Sequence, residues 1–122
     1  MIKKSVLIIE DEKDILNLYK EYLTGAGFEV DTAADGEEGL KKIEEGKSAL
    51  VLLDIMMPKL DGLGMLQIIK ERGYKLPIII MLTNLSHDQA LKDALILGAK
   101  DSIIKSEVTP EQILEKINKY LN

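Results

Sequence analysis

The chain has 122 residues, 30% of them charged, and a formal net charge of −5, which suits one compact domain and leaves no room for a second. Its lysines are scattered among acidic residues, which disfavours a nucleic-acid surface, and with no cysteine and a single histidine it lacks disulfides and the ligands of a zinc cluster. No apolar run is long enough for a signal-peptide core or a membrane span, so we expect a cytoplasmic protein.

The first predicted strand is an apolar run that ends in two carboxylates. Residues 6–9 show no polar alternation, as expected of a strand that is covered on both faces of a parallel sheet. Glu10 and Asp11 follow directly. Asp11 is also a candidate cap for the first helix, which Gly25 and Gly27 end.

The second strand and helix are marked by alternation and by a capping pair. Residues 28–33 alternate between apolar and polar side chains, which predicts a strand at an edge of the sheet. Asp35 and Glu38 have the spacing of a capped helix start, and Gly46 ends the short apolar face that follows.

The third strand, residues 50–53, is again wholly apolar and runs directly into Asp54. A carboxylate at the end of a buried strand is either hydrogen-bonded by the next loop or part of a site, because an unpaired buried charge would protonate. Pro58 and the pair Asp61-Gly62 predict a turn before the third helix.

Two more apolar runs end in a hydroxyl and an ammonium group. Residues 78–82 lead into Thr83, and residues 103–104 lead into Lys105. In an open α/β sheet, ligands bind outside the carboxyl ends of the strands. Four strand exits therefore offer their functional groups to one crevice.

Residues 86–89 and 109–112 have capping-box spacing and mark two further helix starts. His87 lies in the first of them, and we interpret it as a solvated first-turn residue rather than a phosphotransfer histidine. The fourth helix places Leu91 and Leu95 beside its narrow inner face, which makes this pair a candidate partner surface.

Strand and helix alternate five times, which predicts an α/β domain with a doubly wound parallel sheet and helices on both faces. Carboxylates that converge on one crevice repel one another, and a hard cation such as Mg²⁺ relieves that repulsion. Lys105 and Thr83 would complete a pocket for a phosphoryl group. Asp54 is then the predicted nucleophile, because an aspartate can form an acyl phosphate.

This set of residues resembles a response-regulator receiver domain over essentially the whole chain. In that family an acidic pair follows the first strand, the phosphoacceptor aspartate follows the third, a threonine or serine the fourth, and a lysine the fifth. The matching residues here are Glu10-Asp11, Asp54, Thr83 and Lys105. The segments DIMMPKLDG and GAKD are also typical of the family.

The resemblance implies one receiver domain over residues 1–122, with a flavodoxin-like fold of five helices and strand order 2-1-3-4-5. It implies that Asp11, Asp54 and the backbone carbonyl of Met56 bind Mg²⁺, with Glu10 acting through water. It implies no enzyme activity beyond the chain's own phosphorylation and dephosphorylation.

The resemblance also implies partners. The phosphoryl donor would be a sensor histidine kinase or a phosphotransfer protein. The switched surface would comprise the fourth helix, the fifth strand and the fifth helix and would bind a downstream protein, and a transient homodimer is left open.

Two positions depart from the family's usual pattern. Ser102 stands where an aromatic switch residue is usual, so we expect phosphorylation to act through Thr83 and the start of the fourth helix. Ser106 replaces the usual proline after Lys105. A cis bond before serine costs about 2.5 to 4 kcal/mol, so we predict a trans Lys105–Ser106 bond.

Three other interpretations compete. An aspartate-nucleophile phosphatase of the haloacid dehalogenase type needs a second aspartate two residues after the nucleophile, where this chain has Met56. A flavodoxin-like mononucleotide binder needs a hydroxyl- and glycine-rich loop where residues 10–12 are acidic. A degenerate receiver used only for protein interactions would not need the intact set of strand-exit residues.

Overall fold

A computed structural model of the chain describes residues 4–84 and 88–121. Its elements in chain order are β1 (Ser5–Ile9), α1 (Lys13–Gly25), β2 (Glu29–Ala33), α2 (Gly36–Glu44), β3 (Leu50–Asp54), α3 (Gly62–Arg72), β4 (Ile78–Thr83), α4 (Asp88–Ile96), β5 (Asp101–Ile104), a 3-10 turn (Lys105–Glu107) and α5 (Pro110–Leu121). The strands form a parallel sheet in the order β2-β1-β3-β4-β5. The predicted doubly wound α/β fold and its strand order are therefore confirmed.

The helices cover both faces of the sheet, and each face has its own apolar cluster. Leu50 and Leu52 of β3 pack with α1 and α5, whereas Val51 and Leu53 pack with α2, α3 and α4. All four side chains are fully buried. Burial on both faces explains why β3 shows no polar alternation in the sequence.

The two edge strands are more exposed than the central ones. β2 alternates as predicted, with Glu29 and Asp31 exposed and Val30 half-buried. β5 begins at Asp101, two residues before the apolar run seen in the sequence. Its polar start is tolerated because an edge strand has only one neighbour in the sheet.

Two of the predicted capping pairs are present. The amide of Glu38 donates to Asp35 Oδ1 at 2.9 Å at the start of α2. At the start of α5, the Gln112 amide donates to Thr109 Oγ1 at 3.2 Å, and the Thr109 amide donates to Gln112 Oε1 at 2.9 Å. The capping pair predicted at 86–89, with His87, falls partly outside the described residues.

The prediction that Asp11 caps α1 was wrong. Glu12 occupies the capping position and makes no side-chain capping bond there. Its amide donates instead to Glu10 Oε1 at 3.1 Å. The buried Glu10 carboxylate, at the same β1 exit as Asp11, thus holds the amide of the residue that precedes α1.

The Lys105–Ser106 bond is trans, as predicted, and the described residues contain no cis peptide bond. Ser106 lies in the 3-10 turn that leads from β5 towards Pro110. The chain thus reaches α5 without the proline that the family usually has after the lysine.

The exposed apolar residues of α4 are not the pair that the sequence predicted. Leu95 is 51% exposed, but Leu91 is half-buried and packs against the core cluster. Ile96, which the sequence analysis did not single out, is 76% exposed. The exposed apolar pair on α4 is therefore Leu95 and Ile96.

Within residues 4–84 and 88–121, no helix is long and apolar enough to cross a membrane.

Candidate functional site

Parallel pairing brings the predicted strand-exit groups to one edge of the sheet. In the strand register, Asp54 lies opposite Leu82, the residue before Thr83, and Thr83 lies opposite Ile104, the residue before Lys105. Among the described residues, the polar side chains that are buried at this edge are those of Glu10, Asp54, Thr83 and Lys105. Asp11 is exposed beside them.

Lys105 is the centre of the buried charges. Its Nζ donates to Glu10 Oε2 at 2.5 Å and to Asp54 Oδ2 at 2.9 Å. The lysine side chain is only 4% exposed, and those of the two carboxylates are 0% and 5% exposed. One ammonium group therefore bridges the exits of β1 and β3 with almost no access to water.

Asp54 is held from two sides. Its Oδ2 accepts from Lys105, and its Oδ1 accepts from the Met56 amide at 3.2 Å. The loop beyond it is anchored by the Ile55 amide, which donates to Leu82 O at 3.1 Å, and by the Gly62 amide, which donates to Ile55 O at 3.0 Å. These bonds fix the direction of the Asp54 carboxylate at the end of β3.

Burial and hydrogen bonding together set the pKa values of Glu10 and Lys105. Burial raises the pKa of Glu10 to about 7, and the charge of Asp54 acts in the same direction, although the hydrogen bond from Lys105 opposes both. For Lys105, burial alone would lower the pKa, but the hydrogen bonds to Glu10 and Asp54 outweigh it and the pKa is raised. The cluster is thus short of positive charge, and an arriving cation would relieve it.

A cleft of about 260 Å³ opens above these residues and is lined by Asp11, Glu12, Asp54, Met56, Thr83 and Asn84. Carboxylate oxygens of Glu10, Asp11 and Asp54 lie within 4.8 Å of one another. Asp11 and Asp54 line the cleft, and Glu10 is buried beside them. Oxygen donors at this separation next to an open cleft fit a hard divalent cation that keeps several waters. The structure thus brings together the residues predicted for the metal, including Met56 at the rim.

Sequence reasoning missed two residues at the mouth of the cleft. Asn84 Nδ2 donates to Glu12 Oε1 at 3.3 Å, which links the loops after β4 and β1. The same Glu12 oxygen lies 3.9 Å from Lys105 Nζ. The signal that could have found them is position, because each directly follows a strand-exit residue that was predicted.

Comparison with known proteins identifies a matching family. A family model described as a response regulator receiver domain matches residues 6–118. The alkaline phosphatase synthesis transcriptional regulatory protein PhoP of Bacillus subtilis is 35% identical over 120 residues, which are 98% of this chain and 49% of the relative. The transcriptional regulatory protein DltR of Streptococcus agalactiae is 44% identical over 100 residues, which are 82% of this chain and 44% of the relative. The chain thus spans about half the length of these curated relatives.

Solved structures share the fold. A CheY-like response regulator receiver domain protein from Methanospirillum hungatei superposes with a TM-score of 0.87 at 35% identity, covering 97% of this chain and 93% of the other. A chain of the CheX–CheY–BeF₃–Mg²⁺ complex from Borrelia burgdorferi superposes with a TM-score of 0.85 at 34% identity, covering 99% and 91%. Both likenesses extend over nearly the whole chain.

Proposed function

Since the chain belongs to the response-regulator receiver domain family of two-component systems, we propose that Asp54 accepts a phosphoryl group from the phosphohistidine of a sensor histidine kinase or a phosphotransfer protein. One observation carries the proposal. The Asp54 carboxylate is held at the end of β3 between the Lys105 ammonium and the Met56 amide, on the wall of an open cleft. We propose that residues 1–122 act as one receiver domain.

The transfer exchanges one bond to phosphorus for another. A carboxylate oxygen of Asp54 attacks the phosphorus, the phosphorus–nitrogen bond breaks, and the imidazole nitrogen keeps the electron pair and takes up a proton from the solvent. The products are an acyl phosphate on Asp54 and a neutral histidine. The attacking carboxylate needs no general base, so the site has only to position the reactants and neutralise charge.

The residues that would hold Mg²⁺ are Asp11, Asp54 and the Met56 backbone carbonyl, with Glu10 acting through water. The support is the convergence of carboxylate oxygens within 4.8 Å beside a cleft that Met56 lines. Bound there, Mg²⁺ would supply positive charge to the phosphoryl oxygens and offset carboxylate repulsion. Asp11 suits direct binding because it is the exposed member of the group.

Lys105 and Thr83 are the proposed partners of the transferred group. Lys105 Nζ already donates to Asp54 Oδ2, so after transfer it can donate to a phosphoryl oxygen instead. The Thr83 hydroxyl, at the end of β4 beside the same cleft, would donate to another. Attack of water on the phosphorus would later restore the Asp54 carboxylate and release phosphate. The chain would thus catalyse only its own phosphorylation and dephosphorylation.

The proposed output is a change in protein binding at α4, β5 and α5. Because Ser102 replaces the usual aromatic residue on β5, we propose that the change starts from Thr83 and the beginning of α4. It would alter the presentation of Leu95 and Ile96, the exposed apolar residues of α4. A downstream protein partner and a cytoplasmic location complete the proposal, with no direct contact to nucleic acid from this domain.

Acetyl phosphate with Mg²⁺, followed by intact-mass measurement, tests the assignment. The parent chain should gain one phosphoryl group, and Asp54→Asn should gain none. Asp14→Asn, the same substitution at an exposed position of α1, should behave as the parent. Equal phosphorylation of parent and Asp54→Asn would refute the assignment. Phosphorylation of the parent that is unchanged when Mg²⁺ is chelated would refute the proposed role of the metal.

A further inference from the structure

The loop between β3 and α3, residues 55–61, packs against the first turn of α2. A side chain at Gly36 would place its Cβ 1.9 Å from Leu60 O, a backbone atom. Gly36 does not have a positive φ. The glycine is therefore required by the closeness of the loop and not by its own conformation.

The other side of the loop lies against the end of β3. A Cβ at Gly62 would meet Asp54 O at 2.5 Å, and the Gly62 amide donates to Ile55 O at 3.0 Å. The loop is thus fixed between the phosphoacceptor strand and α2. Met56, whose amide holds Asp54 Oδ1, lies inside this fixed segment.

Lys59 gives the loop its path between these two contacts. Its φ is +67°. Within the described part of the chain, it is the one residue other than glycine that has a positive φ. Its Nζ lies 3.4 Å from Asp35 Oδ2, on the residue that caps α2. A lysine in this left-handed conformation is strained, and the conformation persists because its surroundings hold it there.

We propose that the first turn of α2 is a positioning surface for the metal and phosphoryl site. Gly36 and the left-handed backbone of Lys59 set the distance between α2 and the loop. They thereby fix where the Met56 carbonyl and amide stand relative to Asp54. This inference rests on the proposed function, because it concerns the Mg²⁺ that Met56 would help to bind.

Gly36→Ala with Gly25→Ala as control tests the first contact. A Cβ at Gly25 meets nothing within 4 Å, so Gly25→Ala should bind Mg²⁺ as the parent does. Gly36→Ala must displace Leu60 O. It should weaken Mg²⁺ binding about tenfold, the lower end of the effect of supporting residues around metal ligands. Calorimetric Mg²⁺ titration gives the affinity, and melting without metal separates it from any loss of stability.

Lys59→Val and Lys59→Gly test the backbone path at an exposed position. Both remove the ion pair with Asp35, but only valine is excluded from a φ of +67°. Lys59→Val should therefore weaken Mg²⁺ binding and shift the Met56 amide resonance, whereas Lys59→Gly should do neither. This pair keeps the test open if Gly36→Ala does not fold.

The outcomes separate the two proposals. A parent chain that binds no Mg²⁺ would refute the metal site itself. A parent that binds Mg²⁺, with Gly36→Ala at the affinity of Gly25→Ala or with Lys59→Val at that of Lys59→Gly, would overturn the positioning role and leave the site standing. Lower melting of Gly36→Ala with unchanged Mg²⁺ affinity would likewise overturn it, since that is the mark of a purely structural residue.

Discussion

Lys105 and Lys42 each lie close to two carboxylates. The cluster around Lys105 is buried, whereas the cluster around Lys42 is partly exposed to solvent. Lys42 Nζ lies 2.8 Å from Asp31 Oδ1 and 3.5 Å from Glu38 Oε1, and its side chain is 25% exposed. Lys105 Nζ lies 2.5 Å from Glu10 Oε2 and 2.9 Å from Asp54 Oδ2, and its side chain is 4% exposed. The two clusters therefore contain the same kinds of groups in different surroundings.

The pKa of Glu10 in the buried cluster and the pKa of Asp31 in the exposed one shift in opposite directions. Burial raises the pKa of Glu10 to about 7 despite its bond to Lys105. Burial also acts to raise the pKa of Asp31, but there the Lys42 ammonium and the Thr32 amide outweigh it and the pKa is lowered. At the surface, pairing stabilises the charged form of the carboxylate. In the interior, burial still disfavours the charged form, so the protonation of the carboxylate responds to an added charge.

The largest expected contrast comes from removing each lysine. Lys105→Met leaves buried carboxylates without a counter-charge, and without divalent cations it should lower the free energy of unfolding by about 3 kcal/mol or more. Lys42→Met should lower it by less than about 1 kcal/mol, because its partners are solvated. Urea unfolding of both variants and the parent measures this, and equal losses would remove the distinction between the clusters.

Mg²⁺ should sharpen the contrast by acting on the buried cluster alone. At a concentration about 100 times its Kd, a ligand of the native state adds about 2.7 kcal/mol to the free energy of unfolding. The parent and Asp31→Asn should both show such a saturable gain, and Asp11→Asn should lose most of it. Thermal melting across a Mg²⁺ series gives the answer, and an equal response of Asp11→Asn and the parent would contradict the site.

The smallest effect concerns the surface pair and pH. Because the folded pKa of Asp31 lies below its ordinary value of 3.8, its contribution is present in full above that value and is lost as the pH falls through the folded pKa. Asp31→Asn should cost less than about 0.5 kcal/mol at pH 7. The difference from the parent should disappear in acid and shrink in high salt. A cost that persists in acid would show that the pair is not its source.

The sequence predicted the parts of this molecule that periodicity and strand exits determine. The apolar run of β3 ending in Asp54 predicted both a buried strand and a site residue, and parallel strands must bring their ends together. Fold class, strand order and the trans Lys105–Ser106 bond followed from the sequence or from its family resemblance.

What the sequence could not predict depends on contacts between distant segments. The partial burial of Leu91 and the exposure of Ile96 depend on how α4 rests on the core. The closeness of Gly36 to Leu60 joins elements 24 residues apart and has no local pattern.

We propose that the buried cluster, and not the exposed one, makes an aspartate reactive towards phosphoryl donors. Acetyl phosphate treatment with Mg²⁺, followed by borohydride reduction of acyl phosphates and peptide mass mapping, locates the modified residue directly. We expect the label at Asp54 and none at Asp31 or Asp11. Label distributed over Asp31 and other exposed carboxylates to the same extent as Asp54 would contradict the account.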